Sequence, residues 1–192
     1  VGSKFNFADG RGAATLAAYS IVRKNLAMAD PANPGSGVTI PIGSQSSKGI
    51  EATLSAKLTR SLTLEANAAY ADAQYDDFIE NVSGVATSRA GNVPNNVPAF
   101  VANAWLTYRL SPKWELGVDA RHVSKRYGNT ANTLYDSAYT LLGAYAQYQL
   151  SDRTTITARV RNATDALYAA SVGSMFYLGA PRTFELALQA RF

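Results

Sequence analysis

The segment TFELALQARF, residues 183–192, alternates apolar and more polar side chains along its whole length. Its odd-numbered positions include Glu185 and Arg191, whereas its even-numbered positions are all apolar. The even-numbered set is Phe184, Leu186, Leu188, Ala190 and Phe192. Because successive side chains of a β-strand point to opposite faces, a period of two predicts a strand with one apolar face.

The same alternation recurs in six earlier segments, and in each of them one face carries no charge. These segments are residues 52–58, 62–70, 100–110, 114–120, 142–150 and 154–160. Two weaker strand candidates, residues 1–7 and 14–25, flank Asp9 and Gly10, which form a tight-turn signal. The sequence therefore predicts an all-β protein with about nine strands and no helix.

The connections between these strands alternate in length. Three of them are very short, at residues 59–61, 111–113 and 151–153. The stretches between them are long and rich in Gly, Asn, Pro and Ser; they cover residues 26–49, 71–99, 123–138 and 163–182. Short turns at one end of the strands and long loops at the other are typical of an outer-membrane β-barrel.

An uncharged face can pack against a second sheet or face lipid. The opposite faces carry charged residues such as Lys57, Glu65 and Arg159, which a small closed core would have to desolvate at high cost. Several segments reach the roughly 9–11 residues that cross a bilayer. Aromatic residues also mark the strand ends: Tyr108, Trp114, Tyr148 and Phe192 beside the short turns, and Tyr70, Phe100 and Phe184 beside the long loops.

The predicted fold is therefore an antiparallel transmembrane β-barrel. Bacterial single-chain barrels have even strand numbers, so about nine strands indicate a piece of a larger barrel. Two alternatives remain open at this point. One is a self-contained small outer-membrane barrel, structural or enzymatic, and the other is a soluble β-barrel that binds an apolar ligand.

Composition removes several function classes. The chain has 192 residues, a net charge of +4, no Cys and a single His, so a thiolate site or a site of two imidazoles is excluded. Asp119 and His122 fall on opposite faces by parity, which argues against a catalytic dyad. The acidic stretch 72–77 lacks the Gly and terminal Glu of an EF-hand loop. We expect no catalytic residue, metal or cofactor, and no nucleic-acid partner, because the basic residues are spread along the strands.

Several motifs together resemble the TonB-dependent outer-membrane receptors. Residues 47–51, SKGIE, resemble the start of one strand of that family, and residues 97–110 resemble another. Residues 161–168, RNATDALY, and 179–183, GAPRT, resemble the family's last two conserved stretches, and Phe192 matches its closing aromatic. Residues 30–35, DPANPG, resemble the ferric-siderophore subgroup, particularly receptors for hydroxamates.

The resemblance implies a barrel of about 22 strands closed by a plug domain. Residues 1–192 would be the C-terminal portion of that barrel domain, about nine strands, without the plug and the N-terminal strands. The whole receptor would lie in the bacterial outer membrane, among lipid and lipopolysaccharide, and would import a scarce nutrient, which we expect to be a ferric siderophore. The TonB complex would supply the energy through the missing plug.

The resemblance and the strand pattern also suggest site residues. Aromatics of the long loops are candidate ligand contacts: Tyr75, Phe78, Tyr127, Tyr135, Tyr139, Phe176 and Tyr177. The last strand, Phe184 to Phe192, resembles the signal that the barrel-assembly machinery reads. Charged residues of the polar faces are candidates for ion pairs inside the barrel: Arg109, Arg121, Arg159, Arg161 and Arg191 with Glu65, Glu115, Asp119 and Glu185.

Overall fold

A computed structural model describes residues 1–33, 35–173 and 175–191. Within these residues the chain forms fifteen strands and no helix, which confirms the all-β prediction. The strands are β1 (Gly2–Phe7), β2 (Gly12–Ala29), β3 (Thr39–Lys57), β4 (Leu62–Asp77), β5 (Ile79–Val82), β6 (Val85–Ser88), β7 (Phe100–Arg109), β8 (Trp114–Val123), β9 (Arg126–Tyr127), β10 (Tyr135–Asp136), β11 (Tyr139–Ser151), β12 (Thr154–Arg161), β13 (Ala169–Val172), β14 (Phe176–Leu178) and β15 (Thr183–Ala190). None of the described segments is a helix long and apolar enough to span a membrane.

Nine strands form one antiparallel sheet in the order β1-β2-β3-β4-β7-β8-β11-β12-β15. Each pairs with the next along the chain, so the sheet runs up and down without a crossover. It is open in the described residues, since β1 and β15 each pair on one side only. The other six strands form three hairpins, β5–β6, β9–β10 and β13–β14, all within long connections.

Strands β2, β3 and β4 are longer than the sequence predicts. β2 continues to Ala29 and β3 begins at Thr39, so the expected loop 26–49 shortens to residues 30–38. β4 likewise runs to Asp77. These extensions are paired, for example Ser47 with Ala73, and the register shifts within them after Arg23, after Leu26 and between Ser44 and Gln45. They were missed because Gly, Ser and Gln occupy successive positions of 43–47, so neither face shows an apolar period.

The register keeps the two faces of the sheet separate. Leu64, Leu106 and Val118 are successive partners on one face. Glu65 and Trp105 are partners on the other. The predicted apolar set shares the first face: Leu54, Leu64, Leu106, Leu116, Ile156 and Leu186. The predicted charged set shares the second: Lys57, Glu65, Arg159 and Glu185. We call these the apolar face and the polar face.

One close approach on the polar face requires a glycine. The ring of Tyr145 lies across Gly117 of the neighbouring strand, and a Cβ on Gly117 would be 2.0 Å from Tyr145 Cε1. The Tyr145 hydroxyl hydrogen-bonds Glu115 Oε1 at 3.0 Å. The absence of a side chain at position 117 therefore lets the tyrosine lie flat against the wall.

The buried residues of the chain do not form a layer packed against the sheet. Side chains of the apolar face are mostly half-buried or exposed, and Leu186 is 79% exposed. Apart from Ala56, the buried apolar residues gather at the long-loop end: Met28, Ala73, Tyr75, Val123, Ala169 and Val172. The sheet is thus a wall without a packing layer in this chain, and the loops carry a core of their own.

Candidate functional site

The long connections fold together at one end of the sheet. We call segments 78–99, 124–138, 163–173 and 175–182 the loop platform. It contains the three hairpins, and its segments are joined to one another by side-chain hydrogen bonds. It is the candidate functional site because it gathers most of the aromatic residues that the sequence selects.

Two asparagines hold the platform together by using their side-chain amides as peptide groups. Asn132 donates through Nδ2 to the Val93 carbonyl and accepts from the Val93 amide through Oδ1, both at 2.8 Å. Asn96 does the same with Val172, accepting from its amide at 2.8 Å and donating to its carbonyl. Both asparagines have positive φ, 57° and 60°, a conformation that Asn adopts more readily than most residues. Three separate connections are joined in this way.

Glu80 joins hairpin β5–β6 to a second connection. Its Oε2 accepts from Arg89 Nε at 2.7 Å and from Thr130 Oγ1 at 2.8 Å. Partial burial alone would raise the pKa of the carboxyl group. The hydrogen bonds from Thr130 and Arg89, together with the arginine charge, outweigh burial and hold the pKa of Glu80 below its ordinary value. The ionised form is therefore the one that fits the platform.

Arg126 is the buried cation of the platform. Its Nη2 donates to the Ala169 carbonyl at 2.6 Å and to Asp136 Oδ2 at 3.2 Å, and its Nη1 donates to the Ala170 carbonyl at 3.2 Å. Its Nε has no hydrogen-bond partner among the described residues. The guanidinium thus joins hairpins β9–β10 and β13–β14, and a planar fork with several donors suits this task better than an ammonium group.

Some of the predicted aromatic contacts are occupied by packing. Tyr75 is 8% exposed and stacks on Phe78 with ring centroids 4.5 Å apart. Tyr139 packs on Tyr168 at 4.7 Å. These rings stabilise the platform from within, so one or both faces of each are already covered.

Other predicted aromatics remain open to solvent. Tyr135, Phe176 and Tyr177 are 55%, 46% and 64% exposed. Tyr127 is half-buried, and its hydroxyl accepts from Lys125 Nζ at 2.9 Å. Lys125 also lies 5.4 Å from the centre of the Tyr135 ring. The platform thus presents exposed aromatic rings next to a cation, a combination suited to a flat anionic ligand.

Sequence reasoning missed the residues that bind the loops together. Arg126, Asn96 and Asn132 were not selected, because each acts through partners distant in the chain. Lys125, which lies beside the rings of Tyr127 and Tyr135 in its own connection, was not selected either. The one available signal was the frequency of Asn in the long connections, since Asn tolerates positive φ and bonds to backbone.

The polar face forms fewer ion pairs than the sequence suggests. In the described ranges, Arg161 Nε pairs with Glu185 Oε1 at 2.6 Å. Arg159 instead lies over the Tyr145 ring, 5.2 Å from its centre. His122 and Asp119 are on opposite faces as expected, and His122 Nδ1 is 2.9 Å from Thr140 Oγ1. No group of three or more potential metal ligands converges within the part of the chain that the structure describes.

The last strand has the predicted alternation. Phe184, Leu186 and Leu188 of β15 lie opposite Val160, Ala158 and Ile156 of β12. Ala190 lies opposite Thr154. Phe192, the closing aromatic, and Pro34, within the 30–35 motif, lie outside the described residues.

Comparisons with known proteins agree on one family. A family model described as TonB dependent receptor-like, beta-barrel, matches residues 1–163. The metal-pseudopaline receptor of Pseudomonas aeruginosa is 31% identical over the whole chain. The ferrichrome outer membrane transporter and phage receptor of Escherichia coli is 28% identical, also over the whole chain. This chain covers 27% and 26% of those proteins.

Solved structures give the same fold. The siderophore receptor PiuA of Acinetobacter baumannii superposes with a TM-score of 0.86 over 98% of this chain and 27% of its own, at 24% identity. The ferric preacinetobactin receptor BauA of the same organism gives 0.80 over 98% of this chain and 28% of its own, at 25% identity. The chain spans about a quarter of the length of the relatives that it matches.

Proposed function

Because the chain belongs to the TonB-dependent receptors, a family of bacterial outer-membrane proteins that are not enzymes, we propose that it is part of a receptor importing ferric siderophores. Residues 1–192 are the C-terminal portion of its barrel domain. They supply nine wall strands and the loop platform, while the plug domain belongs to the rest of the receptor. Transport is energised by TonB through that plug.

The membrane placement rests on the exposed apolar face. Leu16, Ile50, Leu116, Val118 and Leu186 are all exposed on it. An exposed apolar area that spans nine strands exceeds what a soluble monomer tolerates. It therefore faces outer-membrane lipid, and the long-loop end lies among lipopolysaccharide. Strand β15, with its alternating apolar residues, is the segment that the barrel-assembly machinery recognises.

The ligand class rests on the loop platform and on the relatives. Several relatives are named for siderophore complexes, including ferrichrome and ferrioxamine B. The observation that carries the proposal is the Lys125 ammonium group, which lies 5.4 Å from the centre of the exposed Tyr135 ring. Phe176 and Tyr177 are also exposed, on hairpin β13–β14 of the same platform. A ferric siderophore presents flat chelating groups and oxygen atoms, which rings and an ammonium group can contact together. Tyr75 and Tyr139 pack on Phe78 and Tyr168 and stabilise the platform that presents the exposed rings.

The two alternatives are not favoured. Neither a self-contained small outer-membrane barrel nor a soluble β-barrel that binds an apolar ligand accounts for relatives that are receptors about four times as long. A catalytic barrel lacks support as well, because the one histidine of the chain contacts Thr140 on the apolar face rather than an acid.

The test is ligand binding and uptake by the full-length receptor. We expect a panel of ferric siderophores to include one that binds, and the double variant Tyr135→Ala, Tyr177→Ala to weaken its binding about 5- to 150-fold, for two aromatic contacts of about 0.5–1.5 kcal/mol each. Tyr108→Ala, an exposed tyrosine on the apolar face at the other end, is the matched control. Unchanged affinity in the double variant would exclude these rings as ligand contacts. Failure of every ferric siderophore would exclude the ligand class.

A further inference from the structure

The net charge of the chain lies at the end opposite the loop platform. We define the short-turn end as residues 7–12, 57–61, 109–115, 149–154 and 189–191. It contains seven basic residues, Arg11, Lys57, Arg60, Arg109, Lys113, Arg153 and Arg191, and three acidic residues, Asp9, Glu115 and Asp152. Seven minus three is +4, the net charge of all 192 residues. The remaining eleven basic and eleven acidic residues cancel.

Each short turn repeats one pattern. An exposed large apolar residue comes just before the turn, and an exposed basic residue lies within it or at its end. The pairs are Phe7 with Arg11, Leu58 with Arg60, Leu110 with Lys113, and Leu150 with Arg153. We call the four basic residues the turn cations. The pattern occurs in all four turns, so it is a property of this end of the wall rather than of one loop.

The turn cations are not neutralised by neighbouring carboxylates. The described residues contain three ion pairs, and all of them involve other arginines: Arg89, Arg126 and Arg161. Arg11 donates to a backbone carbonyl within its own turn, that of Ala8, at 3.2 Å. The charge of the four turn cations is therefore available to groups outside the chain that surround the turns.

Aromatic residues locate these turns relative to a membrane. Trp114 and Tyr148 are register partners on the apolar face, with ring centroids 4.7 Å apart, directly beside the short turns. Tyr108 is exposed on the same face one strand away. Rings of this kind occupy the level of the lipid headgroups. The turn cations, which follow immediately, then lie at the level of the phosphates.

We propose that the four turn cations bind the phosphate groups of anionic phospholipids in the leaflet on the short-turn side of the membrane. Arg and Lys can keep their stems along apolar surface while their charged heads reach a phosphate. Lipid is favoured over an acidic protein because each cation is preceded by an exposed apolar residue that has to meet hydrocarbon. The proposal rests on the membrane placement given above and is independent of the ligand bound by the loop platform.

The test measures lipid preference at Trp114 in the full-length receptor. The receptor is reconstituted in phosphatidylcholine vesicles with either brominated phosphatidylglycerol or brominated phosphatidylcholine, and bromine quenching of Trp114 is obtained by difference from Trp114→Phe. One basic residue near an anionic membrane surface corresponds to a preference of about fivefold for the anionic lipid. We expect this preference in the wild type, and its fall to about onefold in the variant Arg11→Gln, Arg60→Gln, Lys113→Gln, Arg153→Gln. High salt should also reduce it.

The matched control removes the same charge from the other end, with Arg23→Gln, Lys24→Gln, Lys48→Gln and Arg182→Gln. It should keep the preference for phosphatidylglycerol. An equal loss in the control, or no preference in the wild type, overturns the proposal. Competition by free glycerol 3-phosphate would indicate a soluble-phosphate site and would also overturn it. Lys113→Gln alone, next to Trp114, replaces the quadruple variant if that fails to fold. Siderophore binding, measured in parallel, reports separately on the proposed function.

Discussion

Replacing Asn96 with Gly should release hairpin β13–β14 from the segment that precedes β7. The Asn96 side chain makes two hydrogen bonds to the backbone of Val172, and Val172 is 0% exposed. The variant leaves a buried amide and a buried carbonyl without their partner. Glycine accepts the φ of 60° at this position, so the substitution adds no backbone strain.

The size of the effect follows from the two lost bonds. A buried polar group left unsatisfied costs about 1–3 kcal/mol, and water entering the gap recovers part of this cost, which gives about 2–4 kcal/mol for local opening. At 1.4 kcal/mol per factor of ten, the Val172 amide should exchange its hydrogen about 30- to 700-fold faster. Hydrogen-exchange mass spectrometry of the full-length receptor in detergent measures this rate.

Two further variants distinguish the loss of the Asn96 hydrogen bonds from a general loss of stability. Asn96→Asp keeps an acceptor for the Val172 amide but places a carboxylate oxygen, which cannot donate, against the Val172 carbonyl, so it should also raise the exchange rate. Asn81→Gly removes a comparable bond, from the Gly84 amide at 2.7 Å, in an exposed turn, and should leave Val172 unchanged. Equal protection of Val172 in wild type and Asn96→Gly would show that the side-chain amide does not hold the hairpin.

Three other predictions address the pH response, the wall and the lipid contact. The pKa of Glu80 is lowered in the folded platform, so its stabilising effect is complete above its ordinary value of 4.5 and is lost as the pH falls through the lowered value. The rate at which pepsin cleaves β5–β6 in the wild type, divided by the rate in Glu80→Gln at the same pH, should therefore rise as the pH falls, and a ratio that does not change with pH would contradict this. Gly117→Ala should lower the free energy of unfolding by about 1–3 kcal/mol, measured by urea unfolding from vesicles, because its methyl group meets the Tyr145 ring. Adding Tyr145→Ala to Gly117→Ala should recover most of this loss. An unchanged urea midpoint in Gly117→Ala would disprove the close contact. Leu186→Arg should cost about 2–4 kcal/mol in a bilayer, while Ala187→Arg on the polar face should cost less; the reverse order would mean that the faces are assigned wrongly.

The nine-stranded sheet was predictable from the sequence because the pattern of side chains that defines each strand is local in the chain. Each strand between water and lipid must alternate, so the period of two gives both the strands and their faces. The alternation ends where Gly, Ser and Gln occupy successive positions, which is why the sequence predicts a loop at the paired extension of Ser47 and Ala73. The sequence does not predict the small hairpins for a related reason: β9 and β10 have two residues each, too few to show a periodic pattern.

The platform was only partly predictable because its contacts are non-local. Composition identified the aromatic residues, but not which of them are used in packing. Tyr139 is covered by Tyr168, which lies on a different connection, whereas Tyr135, only four residues earlier, remains exposed. The joints made by Asn96 and Arg126 link segments more than forty residues apart. A single sequence carries no periodic signal for such pairings.

The side-chain hydrogen bonds that join the segments of the loop platform also affect the free energy of ligand binding. A loop that is disordered before a ligand arrives must lose conformational entropy when it closes, and that loss is subtracted from the affinity. Here Asn96, Asn132, Glu80 and Arg126 have already fixed the three connections against each other. The entropy is lost once, during folding, so the ligand proposed for this surface would meet it already shaped and would retain more of its contact energy as affinity.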